Sequence, residues 1–150
     1  MLKNFLVIAL AILTLASCSK DKNDTPAYNL SAKIDGTAQA FNTGVSAEKA
    51  GDATNGYTVA IAGVAGNSSN PYPALALNID SDDPIVAKTY TATAFEASSI
   101  YVTDATTMFI SDTDFTITVT SISDTEIKGT FSGKVDAKVV SEGAFSAKFQ

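Results

Sequence analysis

FTITVTSISDTEIKGTFSGKV, residues 115–135, places an apolar side chain at almost every second position. Phe115, Ile117 and Val119 alternate with Thr116, Thr118 and Thr120. After a turn near Asp124-Thr125, Ile127, Gly129, Phe131, Gly133 and Val135 alternate with Lys128, Thr130, Ser132 and Lys134. Period two is the signature of a strand with one wet face and one buried face, as antiparallel sheets provide. Gly129 and Gly133 fall on the inward face. There they predict a bend or a close approach over the ring of Phe131.

Outward from that hairpin the same pattern recurs. Phe145, Ala147 and Phe149 alternate with Ser146 and Lys148. Upstream, Tyr28, Leu30, Ala32 and Ile34 lead into Asp35-Gly36, a tight hairpin turn, with Thr37 to Thr43 as the returning strand. Tyr57 to Val64 reads as a strand with Tyr57, Val59 and Ile61 on one face and alanines opposite. Leu75, Leu77 and Ile79 line the next, which ends at Asp80-Ser81-Asp82-Asp83-Pro84. Between residues 85 and 110 the alternation weakens. Short strands are expected at Tyr90 to Phe95, Ile100 to Thr103 and Met108 to Ile110. Val45 to Ala50 and Ala94 to Ser99 are the two places where a single helical turn fits. Eight to ten short strands with regular turn signals predict an all-β fold, an antiparallel β-sandwich or a partly closed barrel. One domain is expected over residues 28–150.

The N-terminus is of another kind. Lys3 is followed by an apolar run from Phe5 to Leu15, about half of the roughly 20 residues a spanning helix needs. The run closes on Leu15-Ala16-Ser17-Cys18. Residues 1–17 read as a secretory signal helix, and residues 18–27, rich in Lys, Asp and Asn, as a tether. Extended, that tether reaches about 35 Å.

Leu15 to Cys18 resembles the lipobox of bacterial lipoproteins. The resemblance implies cleavage before Cys18, a diacylglyceryl group on its sulfur, and a fatty acyl chain such as palmitate on its amine. Two chains suffice for stable anchoring, at ~0.8 kcal/mol per buried methylene. Ser19 stands where an aspartate would mark inner-membrane retention. The resemblance therefore implies the outer membrane, with the periplasmic face and the cell surface both open. Further along, "SAKIDGTAQAF", "KTYTA", "FTITVTSISDTEIKGTFSGKV" and "SEGAFSAKF" together resemble small lipoproteins of the Bacteroidetes type, which pair a lipobox with a compact β domain. That family has no assigned reaction, so the likeness carries no functional residue over. Members often have a tryptophan or another bulky residue after the first turn, where this chain has Thr37-Ala38-Gln39-Ala40.

Composition narrows the function classes. Loss of Lys3 leaves nine lysines against 16 acids, a balance of −7, and arginine, histidine and tryptophan are absent. That excludes a basic nucleic-acid footprint. Nucleophilic triads of the usual kind need a histidine, and the only cysteine is Cys18. Ordinary zinc and copper sites fail for the same reason. No cofactor is expected. Paired carboxylates are the remaining route to hydrolysis, but Glu48, Glu96, Glu126 and Glu142 are scattered. Asp80, Asp82 and Asp83 crowd one loop and Asp112 and Asp114 another, where calcium is one reading and turn formation the cheaper one. Tyr72, Tyr90 and Tyr101 are candidates for stacking on a ligand, against the ordinary reading of buried rings with wet hydroxyls. The expectation is a non-enzymatic, lipid-anchored envelope or cell-surface module. Its alternatives are a glycan- or peptide-binding accessory lipoprotein and an adhesin or assembly subunit. Its partners would be the membrane, through Cys18, and an unidentified glycan or protein.

Overall fold

The computed structural model describes residues 28–150. The expected signal helix 1–17, Cys18 and the tether 18–27 lie outside the described residues. Eleven strands are present among those described: β1 (Asn29–Ile34), β2 (Thr37–Ala40), β3 (Thr43–Asp52), β4 (Gly56–Val64), β5 (Ala74–Ser81), β6 (Thr89–Thr91), β7 (Ala97–Val102), β8 (Met108–Ile110), β9 (Thr116–Ile122), β10 (Glu126–Val135) and β11 (Lys138–Lys148). They form two antiparallel sheets, ordered β2-β1-β11-β10-β9-β6 and β3-β4-β5-β7-β8. The sheets stack as a β-sandwich and do not close into a barrel. Among the described residues no helix is long and apolar enough to cross a membrane.

Both inward faces supply one core. Leu30, Ile34, Ile117, Val119, Ile127 and Val135 come from the six-stranded sheet, and Val59, Ile61, Leu75, Leu77 and Ile79 from the five-stranded one. Phe115, Phe131 and Phe145 form a ladder with ring centroids 6.2 and 6.5 Å apart. Phe41, Tyr101 and Phe109 form another, at 6.1 and 5.9 Å. Tyr90, a candidate for ligand stacking, is fully buried. Its hydroxyl accepts from the Val86 amide at 2.8 Å and donates to the Val86 carbonyl at 3.0 Å. Tyr101 is buried too, its hydroxyl on Gln39 Oε1 at 3.1 Å. Both are therefore core residues. A large ring contributes more when buried than when exposed, provided its hydroxyl finds a partner.

The central hairpin explains its own glycines. Gly129 lies directly opposite Phe145, and Gly143 opposite Phe131, across β10 and β11. A β-carbon on Gly129 would stand 2.2 Å from the Thr118 carbonyl oxygen and 2.5 Å from the Phe145 ring. One on Gly143 would meet the Phe131 ring at 2.6 Å. Each glycine is thus the floor under the other strand's aromatic ring. Beyond this pair β11 bulges at Ser141-Glu142, where two residues of β11 stand opposite Ser132 of β10 and Glu142 takes φ 50°.

Four expectations need correction. Ala94 to Ser99 is not a helical turn, because Ala94 closes a 3-10 turn and Ala97 to Ser99 open β7. Val45 to Ala50 is not a helical turn but part of β3, which pairs residue for residue with β4 from Ser46 to Asp52 after an irregularity at Gly44-Val45. As an edge strand it mixes alanine with charge, so its alternation carries no apolar signal. The returning strand after Asp35-Gly36 stops at Ala40, and the chain crosses at Phe41-Asn42 to the other sheet. Gly63 permits that crossing, since a β-carbon there would lie 2.1 Å from the Phe41 carbonyl oxygen. Tyr90 to Phe95 is a strand only to Thr91. Thr91 then caps a 3-10 turn over Ala92–Ala94, its hydroxyl accepting from the Ala94 amide at 3.3 Å.

Gly129→Ala should lower unfolding stability by about 1–3 kcal/mol through overpacking, measured by urea denaturation. Phe145→Ala, which empties the facing site, should cost about 3–5 kcal/mol. If Gly129→Ala proved neutral, the ring would not be seated on that glycine.

Candidate functional site: a groove at one end of the sandwich

The depressions of interest lie at the end of the sandwich formed by the β3–β4 turn, the last residues of β5, the loop 82–88 and the β9–β10 turn. The first, about 280 Å³, opens where the two sheets diverge, between Lys49, Tyr57, Val59, Ile85, Ile122 and Asp124. The second, about 300 Å³, adjoins it and is lined by Asn55, Asp80, Asp82, Phe95 and Glu96, with Tyr57 again. Tyr57 and Thr58 face both. With Tyr57 and Thr58 common to both linings, the more apolar depression and the more polar one form two arms of a candidate groove.

Local chemistry fixes the walls. Asp52 holds the β3–β4 turn by accepting from the Thr54 amide at 2.8 Å and the Asn55 amide at 3.0 Å. These bonds favour the ionised form, and they hold its carboxyl below the usual carboxylate range. On the other side Lys49 donates to the Ser123 carbonyl at 2.8 Å, with its ammonium 4.0 Å from the centre of the Phe149 ring. This pins β3 to the β9–β10 turn and closes the apolar arm. Ser123 Oγ in turn accepts from the amides of Thr125 and Glu126 at 3.2 and 3.1 Å.

Asp80 is the distinctive charge. It is half-buried, and burial pushes its carboxyl above the usual range. Bonds from the Thr58 hydroxyl at 2.7 Å and from the Asn78 side-chain amide only partly offset that penalty. The five ion pairs among the described residues leave out both Asp80 and Asp82. Glu96 does have a cation, Lys88, at 3.2 Å.

Phe95 is the distinctive aromatic. It is 76% exposed, the most open of the large apolar residues described. It also sits at φ 60°, ψ 19°, in left-handed backbone. Amide bonds hold it there, from Phe95 to the Ala92 carbonyl at 3.0 Å and from Glu96 to the Thr91 carbonyl at 3.0 Å. The ring gains little from burial where it stands, and a non-glycine residue in this conformation costs roughly 1–2 kcal/mol.

The residues picked from sequence are distributed differently. Asp80 at the end of β5 and Asp82 just after it line the groove, whereas the exposed Asp83 follows without lining it. Asp112 and Asp114 lie at the start of β9. Asp112 accepts from the Thr113 amide at 2.6 Å, and Asp114 from the Lys134 amide at 3.0 Å. Asp112 shapes its own turn, whereas Asp114 ties that connection to Lys134 on β10. Among the described residues no group of three or more acids is placed to hold a metal ion. Tyr72 lies in the β4–β5 loop, at the opposite end from the groove. Of the glutamates only Glu96 reaches the groove. Glu48 is exposed on β3, Glu126 pairs with Lys128 at 2.8 Å, and Glu142 pairs with Lys33 at 2.7 Å. Sequence reasoning missed Tyr57 and Phe95 as site residues. The one available signal was Thr91, a helix-capping residue type placed just before Phe95.

The pH dependence of Asp80 has a definite sign. A carboxyl with a raised folded pKa favours folding while protonated, and that advantage is lost as pH rises from the ordinary carboxylate value through the folded one. Asp80→Asn should therefore gain stability relative to the parent between about pH 3 and about pH 7, as read by thermal melts at both. A constant difference across that range would remove the buried-charge assignment.

Comparison with known proteins finds no matching family model, no matching curated protein and no matching solved structure.

Proposed function

We propose that this chain is an exported lipoprotein, anchored to the outer membrane through Cys18, whose β domain binds a ligand and catalyses no reaction. The observation that carries the binding reading is the pair of open depressions that share Tyr57 and Thr58 as lining at the loop-bearing end of the sandwich. Binding residues are characteristically placed on such loops. Histidine and arginine are absent from the chain. The cation nearest the groove's apolar arm, Lys49, is committed to the Ser123 carbonyl. With those groups missing or engaged, the groove offers hydrogen bonds and ring faces in place of a nucleophile and its base.

The anchor rests on the lipobox at residues 15–18 and on the short apolar run before it. The likeness to small Bacteroidetes-type lipoproteins belongs to the same reading. A tether of about ten residues would hold the start of the β domain within roughly 35 Å of the membrane surface. The negative balance of the mature chain favours a domain held off an anionic lipid surface.

The anchor and the groove call for separate measurements. Cells expressing the chain and fed labelled palmitate should label it and keep it in the membrane fraction, and Cys18→Ser should lose both. Equal labelling of the two proteins would end the lipoprotein reading. For the groove, small-molecule fragments titrated into isotope-labelled protein should move the amide signals of Tyr57, Thr58, Ser81 and Phe95 before others. Shifts clustered at the opposite end of the sandwich, around Tyr72, would transfer the site there.

A further inference from the structure

The two arms of the groove differ in a way that specifies a ligand. In the polar arm, Asn55, Thr58, Ser81, Asp82 and Glu96 present hydroxyl, amide and carboxylate oxygens, and no basic side chain lines it. Phosphates, sulfates and carboxylates would meet like charge there. A ligand rich in O–H donors is matched. Phe95 adds an open ring face at the edge of this arm, and Tyr57 stands where the polar arm passes into the apolar one. A ligand with one flat, non-polar C–H face as well as many hydroxyls would use both features. Pyranose sugars combine the two on a single ring.

The alternative ligand of suitable charge is an organic cation. Two observations weigh against it. Glu96 already has Lys88 at 3.2 Å, and burial disfavours the ionised form of Asp80, so the field in the arm is weaker than three carboxylates suggest. An ammonium or guanidinium group would also leave the apolar lining at Val59, Ile85 and Ile122 unused.

We propose that the groove is a subsite for a neutral oligosaccharide. One pyranose lies on the ring of Phe95 with its hydroxyls on Asp82 and Asn55, and the chain continues past Tyr57 into the apolar arm. The proposal rests on the binding reading above and names the ligand class for the same groove. It also gives the exposed ring a use that stability does not, since Phe95 is open to solvent and in unfavourable backbone.

The test is titration calorimetry on the full lipidated chain in detergent. The probes are neutral hexasaccharides of α-1,4-glucan, β-1,4-glucan, β-1,4-mannan and β-1,4-xylan type, with hexalysine as the cationic comparison. At least one hexasaccharide should bind, with the same affinity at low and high salt (about 0.05 and about 0.5 M). Phe95→Gly accepts the left-handed backbone, so it should fold as the parent does and weaken that binding about ten-fold. Tyr57→Ala provides a second, independent loss. Failure of every saccharide to bind overturns the proposal, as does saccharide binding that Phe95→Gly leaves unchanged. Tighter binding of hexalysine that high salt abolishes also overturns it, in favour of a cationic ligand. If fragments still gather at Tyr57 and Phe95 while the saccharides fail, only the ligand class falls. If they do not, the groove itself falls.

Discussion

Two aromatic rings seated on two glycines hold the centre of this molecule. Phe145 faces Gly129 and Phe131 faces Gly143 across the β10–β11 hairpin, in reciprocal register. A glycine in a strand ordinarily weakens it, because it has no side chain to pack and loses much backbone freedom on folding. Here each missing side chain is replaced by a ring from the facing strand. The rings in turn stack toward Phe115 and fill the middle of the sandwich. The only cysteine in the chain is Cys18, so the described domain has no disulfide and its stability comes from packing of this kind.

The aspartates divide into two groups that act in opposite directions. Asp52 and Asp104 receive amides of their own tight turns and Asp35 the Val139 amide of β11, and those bonds pull their carboxyls down, that of Asp104 to about 2. For Asp35 the Val139 amide is the main cause, with Lys138 second. For Asp104 it is the Thr106 amide, followed by the Thr106 hydroxyl. Such groups favour folding above the ordinary carboxylate range and lose that contribution as pH falls. Asp80 has the reverse sign because it gives up solvent without gaining a cation. A carboxylate kept in a groove against its own solvation is a cost to the fold, and one that Phe95 repeats in backbone form.

These costs meet at one end of the sandwich. The loops there are supported by a network of short bonds: Asp52 to its turn, Lys49 to Ser123, Ser123 to Thr125 and Glu126, and Thr91 to Ala94. The sheets supply the rigidity and the turns supply the exposed chemistry, a division common to binding folds built on β-sandwiches. The outer faces are unequal as well. The six-stranded sheet turns threonine, serine and lysine outward, whereas Ala62, Ala76 and Ile100 form a small second apolar cluster on the five-stranded sheet, with Val102 packed against it.

The sequence alone carried the all-β class, the main hairpins and most of the core. Leu30, Ile34, Val59, Ile61, Leu75, Leu77, Ile79 and the Phe115–Val135 hairpin are all visible as period-two patterns, because half-buried strands must alternate. It missed β3 and the end of β6, where edge strands with little burial carry no such pattern. Packing of the two sheets was needed to show that the sandwich is open and that Tyr90 and Tyr101 are buried. It alone brought Tyr57, the Asp80–Asp82 stretch and Phe95 together from three separate segments. Alternation records which face of a strand is dry. It holds no information about which distant turns the packed sheets bring together, and that proximity is what makes a site.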